Sequence, residues 1–239
     1  MRISFKCYEG LRGVIPEPVP AKRRTPEWLK RMPLTNFEPI KGTDDKTVKN
    51  CPPFIDAMTA GFMMPLACDL RFEDGRFEWD WPDFPAGNRL ARAMPSPSPL
   101  ASHYPGQVVG SPFAGDGRVL IKFTNFWTIE VPAGYSLLFT HPFNRPDLPF
   151  RTVTGLVDCD RYVDQFINFP AAWTDDSFSG VLPKGTPVAQ VIPVLREALD
   201  LELDLGVFDD DKLGRVRDLQ QAMVEPNSVY KETFRVKKK

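Results

Sequence analysis

The chain has 239 residues, of which 42% are apolar and 26% charged, a composition typical of a globular protein and not of a disordered one. The formal net charge of −1 gives no overall field that would attract DNA, RNA or an anionic membrane, so nucleic acid is not expected as a main partner. No apolar run approaches the ~20 residues of a membrane span, and no long apolar stretch follows Arg2 and Lys6 as in a signal peptide. We therefore expect a cytoplasmic or virion protein, neither secreted by a signal peptide nor inserted in a membrane.

Cysteine and proline usage narrow the class of fold. The four cysteines lie far apart, without the C-x-x-C pairs of a zinc site or the density of a disulfide framework, so we expect reduced thiols. The chain has 25 prolines, about twice the usual ~5%, together with 18 phenylalanines and 5 tryptophans. This composition is typical of short strands, turns and extended segments packed by aromatic side chains.

The N-terminal stretch, residues 1–50, predicts an extended proline-rich arm, because its prolines repeatedly remove backbone donors and fix φ. Thr25 and Pro26 have the character of a helix N-cap and first helical position. One short helix over residues 27–31 is therefore expected inside the arm.

The next segment predicts a helix, a buried strand and a hairpin. A short helix over 53–60 should end at Gly61, and residues 62–72 should then form a largely buried strand that is interrupted at Pro65. Asp74-Gly75 is a hairpin turn signal, and aromatic and acidic residues alternate with period two over 77–81.

Alternation also predicts the strands of the second half. Residues 82–118 are rich in Pro, Ser, Gly and Ala and predict a connector, after which 119–131 alternates as one half-buried strand. Two turns with proline second and glycine fourth each precede a strand: 131–134 before 135–139, and 182–185 before 188–192.

The C-terminal part changes character from strand to helix. Acidic residues 209–211 precede apolar residues at helical spacing, so an amphipathic helix should run to Val224 before Pro226 stops it. The chain ends in Lys237-Lys238-Lys239. Such a tail is usually solvated, and its functional alternative is an acidic partner or a phosphate backbone.

Three colinear segments carry a resemblance to a known superfamily. They are Val131-Pro132-Ala133-Gly134-Tyr135, Gly155-Leu156-Val157-Asp158-Cys159-Asp160-Arg161-Tyr162, and the stretch from Leu182-Pro183-Lys184-Gly185 to Val188-Ala189-Gln190-Val191. In this order they resemble the trimeric dUTPase and dCTP deaminase superfamily over residues 120–195. The resemblance implies a β-clip and favours a homotrimer.

The same resemblance implies candidate site residues. In that superfamily the aspartate matching Asp158 orients the attacking water and holds the sugar 3′-hydroxyl, and Asp160 is the second catalytic candidate. The superfamily's Pro-Arg-Ser-Gly phosphate loop is absent, and Thr140 to Phe150 stands at its place. The expected ligand-binding residues are His141, Asn144, Arg145, Arg151 and Gln190. Mg²⁺ is expected only if the chain is a hydrolase, and otherwise no metal and no cofactor.

Each of these residues also has a structural interpretation. Acids beside a tight turn are often turn-formers, or partners of an arginine such as Arg151 or Arg161. His141 in its aromatic loop is more typical of a structural hydrogen-bonding histidine. With His103 as the only other histidine, a histidine-rich metal site is not indicated. No nucleophile elbow, P-loop or G-x-G-x-x-G motif occurs.

A second resemblance covers the whole chain. Asn50-Cys51-Pro52-Pro53-Phe54, Phe139 to Arg145 and Lys184-Gly185-Thr186-Pro187 are similar to a family of phage and bacterial proteins without an assigned activity. This resemblance implies that a phage virion component is one possible form of the protein.

Taken together, these features predict a mainly β fold, a β-clip or jelly-roll-like sandwich with an N-terminal arm and a C-terminal helix. The expected division is 1–50 for the arm, 51–205 for the all-β core, and 206–239 for the helix and basic tail. The favoured function is a non-catalytic protein that assembles as a homo-oligomer or with other structural subunits, using the aromatic strand 77–81 as one contact surface. The alternative is a dUTPase-like nucleotide hydrolase or nucleotide-binding protein.

Overall fold

A computed structural model of the chain describes residues 1–82, 98–113, 120–224 and 229–236. It is mainly β, with several antiparallel sheets and a C-terminal helix, which confirms the predicted fold class at that level. The chain divides into two compact units, one of Met1–Arg31 with Ala57–Leu199 and the other of Met32–Asp56 with Asp200–Lys239. The predicted division at residues 50 and 205 runs differently and stays a prediction.

The regular elements are short. The strands are β1 Ser4–Lys6, β2 Val19–Pro20, β3 Thr35–Glu38, β4 Thr43–Lys46, β5 Phe62–Pro65, β6 Leu70–Glu73, β7 Arg76–Trp79, β8 Leu100–Ser102, β9 Leu120–Phe123, β10 Thr128–Glu130, β11 Tyr135–Thr140, β12 Phe150–Thr152, β13 Gly155–Val157, β14 Phe169–Trp173, β15 Gly180–Leu182 and β16 Pro187–Leu195. The α-helices are α1 Glu27–Arg31, α2 Pro52–Thr59 and α3 Asp210–Val224. Short 3₁₀ helices span Glu9–Leu11, Ala21–Arg23, Val48–Asn50, Pro105–Gln107 and Arg196–Leu199, and a π-helical turn spans Tyr230–Phe234.

Three sheets of the first unit share one hydrophobic core. The five-stranded sheet has the order β13-β11-β16-β5-β2, the four-stranded sheet β12-β14-β9-β8, and the three-stranded sheet β15-β6-β7. Strict alternation places every second side chain inside, as in β14, where Phe169, Ala171 and Trp173 are buried between half-buried neighbours. Leu137 and Val191 of the five-stranded sheet lie in the same core.

The predicted proline-rich arm contributes to the first unit as far as Arg31. β1 pairs with β10, and β2 pairs with β5 at the edge of the five-stranded sheet. Leu11 and Ile15 are buried with Phe126 in a second, smaller cluster. Burial of these apolar side chains stabilises the position of the N-terminal stretch, since each is withdrawn from water.

Local signals placed several elements correctly. Asp74 and Gly75 both have positive φ, 49° and 74°, as a two-residue type I′ hairpin turn between β6 and β7 requires. The helix predicted to end at Gly61 is α2, and Gly61 has a φ of +66°. The predicted helices α1 and α3 are also present.

The prediction of one strand over 119–131 is wrong. Within this range β9 pairs with β8 and β14, whereas β10 pairs with β1 in a different sheet. The break is fixed by Asn125, whose Oδ1 accepts the Trp127 N–H at 2.9 Å and whose Nδ2 donates to the Trp127 carbonyl at 2.7 Å. These bonds replace the ladder bonds that a continuous strand would form, because a short amide side chain competes for neighbouring backbone groups.

The second unit contains the exposed β3–β4 hairpin and α3. Its Arg235 donates to Asp56 through Nη2 at 2.7 Å and Nε at 3.2 Å, and the charge and hydrogen bonds of Asp56 raise the pKa of that arginine. This bidentate pair joins the C-terminal part of the unit to its 32–56 part.

Several predictions concern residues that the structure does not describe. The end of the helix at Pro226 and the basic tail 237–239 lie outside the described residues, as does most of the 82–118 connector. Among the described helices, none has the length and apolar character needed to cross a membrane.

Candidate functional site

The two predicted catalytic acids belong to a polar cluster at the ends of three neighbouring strands. β11 lies between β13 and β16 and is antiparallel to both, so its beginning lies beside their ends. Ser136 is near the beginning of β11, Asp158 directly follows β13, and Arg196 directly follows β16. The sheet therefore brings together residues that are up to 60 positions apart in the chain.

Asp160 is fixed in this cluster by an arginine that the sequence motif does not contain. Arg196 Nη1 donates to Asp160 Oδ1 at 2.8 Å, Nη2 donates to Oδ2, and the Gly134 N–H donates to Oδ2 at 2.9 Å. The Asp160 side chain is 7% exposed. The Arg196 hydrogen bonds, against the opposing effect of burial, hold the pKa of the Asp160 carboxyl well below its usual range.

Asp158 is the more accessible acid. Ser136 Oγ donates to its Oδ1 at 2.6 Å, and Arg196 Nη1 lies 3.5 Å from the same oxygen. The Asp158 side chain is 54% exposed. The structural interpretation of these acids as partners of an arginine therefore holds for Arg196, not for Arg151 or Arg161.

The predicted ligand-binding loop lies at the other end of β11. Ser136 and His141 are five positions apart along β11 and its end, which corresponds to about 17 Å at the rise of an extended chain. The structure brings His141, Asn144, Arg145 and Gln190 near one another but does not bring them to the predicted catalytic acids. Arg151 on β12 is exposed beside that loop, next to Thr152, whose N–H donates to His141.

The loop side chains are engaged in holding the loop. His141 Nδ1 accepts the Thr152 N–H at 3.3 Å, and Nε2 donates to the Arg145 carbonyl at 3.1 Å, which fixes one neutral tautomer. Burial lowers the pKa of His141. Asn144 has a φ of 55°, a left-handed conformation that asparagine tolerates in turns.

Arg145 is paired within the same loop. Its Nε and Nη2 each donate to Asp147 at 2.8 Å, and the Trp28 indole donates to the same carboxylate at 3.3 Å. Partial burial would by itself raise the pKa of Asp147, but the hydrogen bonds and charge of Arg145 outweigh burial and lower it. A phosphate would have to displace Asp147 from the Nε and Nη2 groups of Arg145.

Gln190 is fully buried and its side-chain amide forms three hydrogen bonds. Oε1 accepts the Phe143 N–H at 2.9 Å, and Nε2 donates to the carbonyls of Ala57 and Ala60 at 2.8 Å each. The side chain thus connects the 141–147 loop to the end of α2. Both N–H donors of this amide are therefore used within the protein, and Oε1 is buried with one hydrogen bond already accepted.

The residues do not fit the magnesium ion that a dUTPase-like hydrolase would use. Both oxygens of Asp160 are bound by Arg196, which leaves Asp158 as the one accessible carboxylate of the pair. Magnesium in proteins needs oxygen ligands in near-octahedral geometry. Across the described part of the chain, no three His, Cys, Asp or Glu side chains are grouped so that they could hold a metal ion.

A separate groove of about 690 Å³ lies beside the β6–β7 hairpin. Its walls include Phe72, Phe77, Trp79 and Trp173, and the ring centroids of Phe72 and Trp173 are 4.7 Å apart. Aromatic residues predicted as a contact surface thus form its wall, with Trp79 38% exposed. The groove offers apolar contact area, and its lining also includes the charged residues Arg76 and Asp176.

A further exposed apolar segment was not predicted. Acids alternate with leucines over residues 200–205, and Gly206, Val207 and Phe208 follow. Four side chains of this stretch are 72–98% exposed: Leu201, Leu203, Leu205 and Val207. Residues 201–208 have no regular secondary structure and form no backbone hydrogen bond with another described residue. We call residues 200–208 the alternating segment. Its period of two is visible in the sequence and would have identified it as strand-like.

The alternating segment continues into a helix that is also exposed. On α3, Leu213, Leu219 and Met223 are 38–58% exposed. Helical spacing places these side chains along one side of α3. The second unit therefore carries two consecutive elements whose apolar side chains are open to solvent.

Comparison of the chain with profiles of protein families, with curated proteins and with solved structures finds no match.

Proposed function

We propose that the chain is a non-catalytic β-sheet protein that works by assembling with, or binding, other protein subunits. The observation that supports this function is the alternating segment together with the exposed apolar side of α3. Contiguous exposed apolar surface marks interaction sites, because monomeric proteins rarely present it to water. Exposed strand-like segments with alternating side chains are also a recurrent means of joining subunits.

The state of the predicted site supports the same proposal. Both carboxylate oxygens of Asp160 accept hydrogen bonds from Arg196, and the guanidinium of Arg145 donates to Asp147. The side-chain amide of Gln190 is hydrogen-bonded to backbone groups. A nucleotide site would need these groups to face a common cavity, and β11 separates them by most of its length.

The finer parts of the proposal rest on the resemblances. A β-clip or jelly-roll-like sandwich, a homotrimer, and a phage virion component in the cytoplasm or virion are the specific forms that we propose. Each is independent of the others, so the assembly proposal does not require all three.

Concentration-dependent mass, measured by sedimentation velocity on the full chain, tests the proposal. We expect a defined oligomer that dissociates on dilution. A monomer at every concentration up to the limit of solubility would contradict self-assembly, and would leave binding of other subunits to be tested with α3 and alternating-segment variants.

One observation favours the nucleotide alternative enough to test it. Asp158 is half-exposed and lies beside Ser136 and Arg196, a hydroxyl and a cation that could bind a polar ligand. A thermal-shift screen with deoxynucleotides, with and without Mg²⁺, should include Asp158→Ala and the exposed control Asp164→Ala. A ligand at ~100 times its dissociation constant would add about 2.7 kcal/mol of stability. We expect no shift; a shift lost in Asp158→Ala and kept in Asp164→Ala would support a nucleotide site.

A further inference from the structure

The alternating segment lacks a strand partner in the described structure. Its apolar side chains at 201, 203, 205 and 207 would all lie on one face of a β-strand, and its acids at 200, 202 and 204, followed by Phe208, on the other. A lone strand leaves both its backbone groups and its apolar face in water, whereas addition to a sheet edge satisfies both. The segment therefore has the pattern of a strand that is completed by an edge.

The β13 edge has the features that such a strand needs. β13 is an edge strand of the five-stranded sheet. Among the described strands it pairs only with β11, so no strand pairs with the backbone groups on its outer side. Leu156 on this edge is 47% exposed. It lies in one cross-strand row with the half-buried Leu138 and Ile192, which gives an apolar face beside the edge.

Charge distinguishes β13 as a partner for this segment. The segment has Asp200, Glu202 and Asp204 and no basic residue. Arg151 precedes β13 and Arg161 follows it, and both are exposed. Neither guanidinium forms an ion pair or hydrogen bond with another described residue. Arg151 belongs to β12 of the four-stranded sheet, four positions before β13, and Arg161 lies four positions after it. The carboxylate of Asp158, which directly follows β13, has Arg196 Nη1 3.5 Å away. Two unpaired cations that flank the edge strand in the chain therefore complement an acidic strand and repel a basic one.

We propose that the alternating segment of one copy adds as a strand to the β13 edge of a second copy of this chain. The inference rests on the proposed assembly function and names its partner and contact surface. Leu203 and Leu205 pack toward the row that includes Leu156, while the segment's acids pair with Arg151 and Arg161. Every copy carries one segment and one edge, so the contact joins two different surfaces.

Mixing of charge-reversed variants tests the pairing. One variant is Glu202→Lys with Asp204→Lys, and the other is Arg151→Glu with Arg161→Glu. The dissociation constant for self-association of each variant alone should be at least about tenfold higher than that of the unmodified chain, because like charges then meet at the contact. A mixture of the two should recover association, since the reversed segment of one matches the reversed edge of the other.

Apolar variants provide a second measurement with a matched control. Leu203→Glu and Leu156→Glu should each weaken association by about tenfold or more, as central apolar contacts do in interfaces. Ile40→Glu changes an apolar side chain in the β3–β4 turn that is more exposed than either, and should leave association unchanged. Circular dichroism establishes that each surface variant keeps its secondary structure.

The outcomes separate this inference from the function on which it rests. Recovery in the mixture, with loss in each variant alone, supports the inference. An oligomer insensitive to all the segment and β13 variants would overturn the inference while leaving assembly in place. A strictly monomeric unmodified chain would overturn both, and slow hydrogen exchange of residues 201–208 in that monomer would indicate that the segment pairs within its own chain.

Discussion

Replacement of Gln190 by methionine separates a structural role from a ligand-binding role. Methionine keeps the length and approximate volume of the side chain but removes its donor and acceptor. In the variant, the Phe143 N–H and the Ala60 carbonyl lose the partners that Gln190 gives them. The Ala57 carbonyl keeps the Ala60 N–H at 3.3 Å.

The magnitude follows from the groups left without a partner. Each buried polar group that loses its hydrogen bond costs about 1–3 kcal/mol, so the two groups together should make Gln190→Met lower the free energy of unfolding by about 2–6 kcal/mol. That loss is a large fraction of the ~5–15 kcal/mol that stabilises a typical domain.

Urea unfolding followed by tryptophan fluorescence measures this loss. With a denaturant slope of about 2–3 kcal/mol/M, the midpoint should fall by about 1 M or more, with the slope unchanged. Gln165→Met, at an exposed position, is the control and should change stability by less than about 0.5 kcal/mol. Equal midpoints for the two variants would refute the structural role, and a ligand whose binding is lost only in Gln190→Met would support the predicted binding role.

Three further predictions follow from the described contacts. Burial lowers the pKa of His141 in the folded protein below the value of ~6.5 in the unfolded chain. The neutral imidazole therefore contributes stability above pH ~6.5, and this contribution is lost as the pH falls from ~6.5 through the folded pKa. Urea midpoints at pH 7.5 and 5.5 should therefore differ less in His141→Asn; an unchanged difference would contradict the assignment. Gly61→Ala should cost at least about 1–2 kcal/mol more than Gly42→Ala, since both have a φ of +66° but the new Cβ at 61 would lie 1.9 Å from the Val191 carbonyl oxygen and the one at 42 meets nothing. Equal thermal midpoints would show that the turn at 61 moves freely. Burial raises the pKa of Cys159 to about 12, so a thiol reagent should label exposed Cys51 quickly and Cys159 only after unfolding; fast native labelling of Cys159 would contradict its burial.

The elements that the sequence predicts best are those fixed by neighbouring residues. Asp74-Gly75 specifies its hairpin because few residue pairs tolerate positive φ at both positions. Likewise, Pro26 marks the beginning of α1 and Gly61 marks the end of α2. These signals act over a few residues, so no knowledge of the sheets is needed to interpret them.

The elements that the sequence predicts poorly depend on distant contacts. The alternation over 119–131 is real, but Asn125 divides it between two sheets, and only the packing decides that. Arg196 belongs to no motif, and it becomes the partner of Asp160 because β13 and β16, on either side of β11, both end beside the beginning of β11. The candidate site thus combines motif residues that were predicted with one cation that the motif could not indicate.

The acids of the alternating segment also determine what kind of assembly is permitted. Two such segments side by side would align like charges, which disfavours a symmetric contact of segment with segment. If copies join by the proposed contact of segment with edge, growth has a direction, with a free segment at one end and a free edge at the other. Such an array closes into a ring only if the rotation between successive copies divides a full circle, and otherwise it extends as a helical filament. The angle at which the segment leaves Leu199 would therefore decide between a closed particle and an open fibre.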